Sequence, residues 1–313
     1  METNKTVNCV NIAYVFKTSL GSINGSWTEG NVSTVKKITL PNGTQIPYVS
    51  GQSLKYQIRK AWKEMGLADK LSEVKQAEKK AGVDFTSGEP NLYLDDDLLG
   101  YMIASTGENR RRTAVVRTSA AIGLFPFRND RDLGTKSKEE TGGDVSAGGN
   151  IFETEIYYNY FRVNILVELD RLGVFQDFEL AKAKKGKIPP LTPEQKKERL
   201  NYLLRALSHI WGGGKQSRLL TDMSPKFLAI TFQNTKSPIF LETLAVSENE
   251  KLNTKAINEV LTGNSRIIKK QLLGVQSGIF KNDDEIIKLS EITDIQTTFS
   301  NAIKYINEEL FKQ

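Results

Sequence analysis

A chain of 313 residues, 39% hydrophobic and 26% charged, can bury a sizeable core, and no apolar run approaches the length of a membrane span. One cysteine, Cys9, excludes an internal disulfide, and one histidine, His209, excludes a multi-histidine zinc site and leaves any histidine-based triad to a single residue. The net charge of +6 favours a polyanionic partner.

The N-terminus METNKTVNCVNIAYVF lacks the basic, apolar and small-residue order of a signal peptide, so a cytoplasmic protein is expected. Val10, Ile12, Tyr14 and Phe16 alternate on one face of a first strand at about residues 7 to 17. The loop SLGSINGSWTEGN, residues 19–31, reads as an irregular segment, either binding or plain surface, with Trp27 exposed. A helix then runs from about 51 to 65, with Ser50 as N-cap and Gly66 as its stop. Leu54, Ile58, Ala61 and Met65 form its apolar face, and Lys55, Arg59 and Lys63 recur every four residues on another. The open amides of the Ser50 end, with Ser53, Lys55 and Arg59 nearby, suit a phosphate; a solvated surface helix is the alternative.

Residues 67–111 read as a helical insertion with an AEKKAG run, and Asp95, Asp96 and Asp97 are expected to cap a helix beginning near Leu98. Arg110, Arg111 and Arg112, like Lys182, Lys184, Lys185 and Lys187, form a basic cluster that either binds phosphate or solvates a loop. Ala114, Val116, Thr118, Ala120, Ile122 and Leu124 predict a second strand, and Phe161, Val163, Ile165, Val167 and Leu169 a third. Between them residues 127–150 are rich in glycine and mixed charge, which predicts a projection that orders on binding. Thr192, Pro193 and Gln195 begin a helix with a capping box, whose stripe is Leu200, Leu203, Leu204, Leu207 and Ile210. His209, after that stripe and before Trp211, is expected to be packed or loop-bonded. Phe227 to Phe232 predicts a fourth strand, and residues 253–272 and 295–311 two packing helices.

The loop WGGGKQSRLL, residues 211–220, is the other prominent feature. Three glycines let backbone approach a nucleic-acid strand, with Lys215, Gln216 and Arg218 as donors; a flexible hinge is the alternative, and the spacing does not make a P-loop. Strand, helix, strand, strand, helix, strand is the order of an α+β, modified ferredoxin-like (RNA-recognition-motif-like) core with a helical insertion and a projecting loop. The expected divisions are 1–66, the insertion 67–111, a core strand in 112–126, the projection 127–157, a second part of the core 158–235 and a C-terminal segment 236–313.

PYVSGQSLKYQIR at 47–59, LDDDLLGYMIA at 94–104, RRTAVVRTSAAIGLFPF at 111–127 and GGNIFETEIYYNYFRVNILVELDRLG at 148–173 together resemble the DevR-type CRISPR-associated backbone subunits of the repeat-associated mysterious protein superfamily. The resemblance extends to the glycine loop at 212–214 and weakens beyond it. It implies a non-catalytic subunit of type I Cascade that polymerises along a guide RNA, with 127–157 as a thumb over the guide. The partners it implies are CRISPR guide RNA, complementary target DNA, neighbouring copies of the chain and other Cascade subunits, with no membrane, cofactor, metal or catalytic residue. The candidate RNA-binding set is Ser50, Gly51, Gln52, Ser53, Lys55 and Arg59 on the helix and Gly212, Gly213, Gly214, Lys215, Gln216 and Arg218 in the loop. Asn24, Lys36, Arg117, Phe127 and Arg128 complete it; of Phe125 and Phe127, either could meet a base, with Phe125 the better candidate for the core. Two rival readings are a metal-dependent RNA-cleaving subunit using Asp130, Asp132 and Asp144 or Asp95 to Asp97, and a free-standing RNA-binding regulator.

Overall fold

A computed structural model describes residues 6–75, 86–105, 108–136 and 150–311. The chain enters through β1 (Cys9–Gly21), a hairpin of β2 (Gly25–Glu29) and β3 (Val32–Val35), then β4 (Lys37–Thr39), β5 (Gln45–Val49) and helix α1 (Gly51–Glu64). Next come α2 (Leu94–Leu98), β6 (Tyr101–Ser105), β7 (Glu108–Arg112), β8 (Val116–Thr118), β9 (Ala121–Gly123), β10 (Arg131–Lys136), β11 (Asn150–Glu155), β12 (Tyr157–Glu168) and α3 (Pro193–Ser208). The C-terminal part adds β13 (Phe227–Gln233), α4 (Thr254–Gly263), β14 (Ile268–Val275), α5 (Asp283–Ile286), β15 (Ile292–Thr293) and α6 (Ile295–Tyr305). The architecture is mixed α+β.

The main sheet runs β15-β14-β13-β1-β12-β9-β5-β4, with β8 also on β12. β1 is antiparallel to both neighbours, Ile12 lying between Ile165 and Ile230. Its even-numbered residues enter a core with Leu54, Ile58 and Trp62 of α1, Leu203 and Leu207 of α3, and Phe299 of α6. Ala13 and Val15, on the other face, pack beneath Phe240, Leu244, Ile257 and Phe280. The alternation read along β1 is therefore correct for one face, but the C-terminal segment covers the other, so the strand is buried on both sides. The capping box of α3 is made as expected: Gln195 N donates to Thr192 Oγ1 (3.3 Å) and Thr192 N to Gln195 Oε1 (2.9 Å).

Several expectations need correction. The 19–31 stretch is irregular only in part: residues 22–24 lie outside any strand, whereas 25–29 form β2, which Gly30, at φ +61°, turns tightly into β3. The single strand expected over 114–124 is two, β8 and β9: Ser119 N still donates to Asn164 O, but Asn164 N donates to the Ser119 hydroxyl instead of a backbone carbonyl, which interrupts the ladder. The projection is partly regular: β10 and β11 pair from Arg131↔Glu155 to Lys136↔Asn150, and β11 joins β3 in a second sheet of order β10-β11-β3-β2. Residues 137–149, including Asp144, lie outside the described residues. The 67–111 insertion, expected to be helical, holds only short helical segments and the β6–β7 pair among its described residues, and the AEKKAG run lies outside them. The helix expected over 253–272 stops at Asn264, whose side-chain amide donates back to Val260 O, and β14 follows. The helix expected to begin near Leu98 ends there instead.

Candidate nucleic-acid interface

Residues 22–24, between β1 and β2, bring the two prominent sequence features together. Asn24 Oδ1 accepts from Ser50 N (2.9 Å) at the start of α1, and Ile23 O accepts from Gly214 N (2.7 Å) in the glycine loop. Asn24 O also accepts from Lys36 N (2.9 Å), so Asn24, Lys36, Ser50 and Gly214 share one small region. Ser50 is the N-cap: its hydroxyl accepts from Ser53 N at 3.3 Å. Gly51 is tightly packed, since a Cβ there would lie 3.0 Å from Thr118 O. Gln52 is exposed beside this helix start.

The glycines of 212–214 pack closely against the rest of the chain. A Cβ on Gly212 would lie 2.2 Å from Gln57 Oε1, one on Gly213 2.9 Å from Ile23 Cγ2, and one on Gly214 2.6 Å from Ser22 O. Their missing side chains admit the chain's own α1 and 22–24 segment. The exposed part of the loop follows them, where Lys215 adopts φ +57° and its Nζ reaches Ser33 Oγ at 3.4 Å. Gln216 accepts from Lys60 Nζ (3.2 Å), and Arg218 binds the second sheet.

The cationic stripe of α1 is not free as expected. Arg59 Nε donates to Asp95 Oδ2 (2.7 Å), and the guanidinium also donates to Ser72 O. Lys55 Nζ donates to Leu99 O (3.3 Å), and burial, then the charge of Arg117, holds its ammonium below the usual lysine range. Only Lys63 of the three is exposed. These contacts exist because Asp95, Asp96 and Asp97 point inward. Asp95 also accepts from Ser72 N (2.9 Å), Asp96 from Glu89 N (2.8 Å) and Thr86, and Asp97 from Arg112 (2.5 Å) and Arg199 (2.6 Å). Burial pushes the Asp96 carboxyl above the usual carboxylate range. No group of three or more His, Cys, Asp or Glu side chains among the described residues is arranged to hold a metal ion. Arg59→Ala is expected to destabilise the fold by about 2–3 kcal/mol, somewhat less than for a fully enclosed pair because the arginine side chain is 18% exposed; Lys63→Ala should leave urea unfolding unchanged.

Phe127, placed in the base-contacting set, is instead 7% exposed and in the core, with Lys37 Nζ 4.4 Å from its ring centre. Phe125 is the more open of the two, its ring near-parallel to Tyr158 in a cleft shared with Arg128 and Asp130. Arg128 is exposed in that cleft, which is also lined by Tyr157, whose hydroxyl accepts from Ile23 N. Arg117 pairs with Glu168 while remaining half exposed. Tyr56, 66% exposed on α1, was not singled out by the sequence pattern, although its offset of four from Gln52 puts both on one outward face. His209 is bonded at the end of α3, with Ser208 Oγ 2.8 Å from its Nδ1.

No helix among the described residues is long and apolar enough to cross a membrane. The family model described as "CRISPR-associated negative auto-regulator DevR/Csa2" matches residues 12–256. A CRISPR-associated protein Cas7/Cst2/DevR of Myxococcus xanthus (strain DK1622) is 25% identical over 242 residues, covering 72% of this chain and 73% of the relative. A chain of a "CRISPR RNA-guided surveillance complex, pre-nicking" shares the fold at TM-score 0.59 and 14% identity, over 94% of this chain and 100% of that one. A chain of a second "CRISPR RNA-guided surveillance complex" does so at TM-score 0.56 and 17% identity, over 94% and 99%. The motifs at 47–59, 94–104 and 111–127, the mixed α+β fold and the match across 12–256 agree: the chain belongs to the DevR/Csa2 family of CRISPR-associated proteins.

Proposed function

We propose that this chain is a non-catalytic, guide-RNA-holding backbone subunit of a type I CRISPR surveillance complex, working in the prokaryotic cytoplasm beside neighbouring copies and other subunits. Its core is read as ferredoxin-like, a reading supported by β13-β1-β12-β9 occurring as adjacent strands with α1 and α3 on one face. The observation that carries the functional reading is the convergence of the α1 N-terminus, Asn24 and the glycine loop on residues 22–24. Amides at the start of α1, with Lys36 and Lys215, offer phosphate contacts that do not depend on base identity. A protein holding a guide needs that property, because pairing with target DNA supplies the specificity. Identical copies joined head to tail do not close, so the RNA would set their number.

Native mass spectrometry on single-stranded RNAs of increasing length tests this: copies bound should rise in steps with length. The double variant Lys36→Ala, Lys215→Ala should make the slope of log affinity against log salt shallower by about 1.4. The family's description as an auto-regulator favours a second reading, a free-standing RNA-binding regulator. A single copy at every RNA length would support that reading, and loss of intact RNA in the presence of magnesium would instead indicate a cleaving subunit.

A further inference from the structure

Arg218 belongs to the glycine loop, yet its hydrogen bonds run to the projecting hairpin. Nη1 donates to Asp132 Oδ2 on β10 (3.0 Å), Nη2 donates to Thr154 Oγ1 on β11 (3.1 Å), and the guanidinium lies 5.0 Å from the centre of the Phe152 ring. Asp132 is paired with Thr154 in the ladder and Phe152 lies two residues before it, so all three residues project from one face of the hairpin. One planar cation thus bridges both strands and lies over the Phe152 ring, a geometry that lysine's single ammonium cannot reproduce.

The other end of this connection is held by backbone hydrogen bonds. Lys215 O accepts from both Arg218 N and Leu219 N at 2.9 Å, Gly212 N donates to Thr221 O (3.1 Å), and Gly214 N is fixed to Ile23 O. Lys215 sits in the left-handed region, a conformation that persists where surrounding contacts determine it. The hairpin root has a second tie, Glu155, which accepts from Val35 N (2.8 Å) and Lys37 Nζ (2.7 Å). We infer that Arg218 is a positioning residue: it fastens the projecting hairpin to the glycine loop, so the segment that meets the guide also sets the angle at which the hairpin reaches the adjacent copy. This rests on the backbone-subunit reading for its consequence, but the clamp itself does not. It also reassigns Arg218 from the phosphate contacts expected of it.

Arg218→Ala and Asp132→Asn, made in the full chain, separate the alternatives. Both should speed amide exchange in β10 and β11 by roughly five-fold, the scale of a lost partly exposed ion pair. Both should reduce stepwise assembly on long RNA, while binding of an RNA that holds one copy is unchanged. Asp132→Asn is the discriminating variant, because removing a negative charge should not weaken a phosphate contact. Unchanged exchange in the hairpin in both variants would overturn the clamp. So would a salt slope shallower by about 0.7 on short RNA for Arg218→Ala, with normal assembly by Asp132→Asn. If the unaltered protein binds no RNA, the proposed function fails, and the exchange measurement still decides the clamp.

Discussion

Arg112→Leu is expected to destabilise the fold by about 3–5 kcal/mol, lowering the thermal midpoint on the order of 10 °C, because it removes the cation at the centre of a fully buried ion network. Its side chain and that of Asp97 have no solvent exposure, and Glu179 has almost none. The guanidinium donates to Asp97 Oδ1 (2.5 Å) and Glu179 Oε2 (2.5 Å), and to the carbonyls of Asp97 (3.2 Å), Val174 (3.0 Å) and Arg171 (2.9 Å). Leucine fills part of the volume and satisfies none of these acceptors. Asp97 keeps Arg199 and Glu179 keeps Arg171 at 3.5 Å, so the loss should stop short of complete unfolding. Adding Glu179→Leu should restore part of the stability, since the second change removes a buried carboxylate left with only the longer Arg171 pair and the Gln176 N–H, and calorimetry of the single and double variants measures that coupling. A midpoint for Arg112→Leu within two degrees of the unaltered protein would show that the network contributes little.

This network also shows where sequence reading stopped. DDD at 95–97 reads as the cap of a following helix and RRR at 110–112 as solvated or phosphate-facing charge, because composition carries no information about which opposite charges the fold brings together. Asp97 meets Arg199 across 102 residues of chain, a separation no local pattern encodes. Arg59 was misread for the same reason: its spacing from Lys55 placed it correctly on a helix face, but the carboxylate opposite that face comes from α2. What depends on local chemistry was legible. The Ser50 and Thr192 caps, the apolar stripes of α1 and α3, and the alternation of β1 and β12 follow from side chains within a few residues of one another. The β10–β11 pair was not, because Arg131 to Lys136 mixes charge and glycine and offers no period-two signal; its register is held by the opposing strand and by Arg218. Of the candidate interface, the two halves could be found in the sequence, whereas their meeting point at residues 22–24 required the fold.

Gly213→Val should lower stability and RNA binding together, by roughly 3–5 kcal/mol in the first case, the sum of left-handed backbone strain and overpacking against a well-filled neighbour. The position has φ +107°, which a β-branched residue adopts only under strain, and the new Cβ would press within 3.0 Å of both Ile23 Cγ2 and Ile23 Cα. Neither contact can yield cheaply. Ile23 is 2% exposed, its N–H is held by Tyr157 Oη at 3.0 Å, and its carbonyl holds Gly214. Pushing it away would also move Asn24, and with it the bond to Ser50 N at the head of α1. Read from sequence, the glycines leave room for a nucleic-acid strand or make a flexible hinge; the packing of Gly213 on Ile23 adds a cost in stability that neither reading contains. Gly213→Ala carries the same Cβ but no branch and should give a smaller loss of the same sign. Thermal unfolding and RNA titration of both variants check this. A full-stability Gly213→Val that fails to bind RNA would show that the glycine makes room for a ligand and not for Ile23.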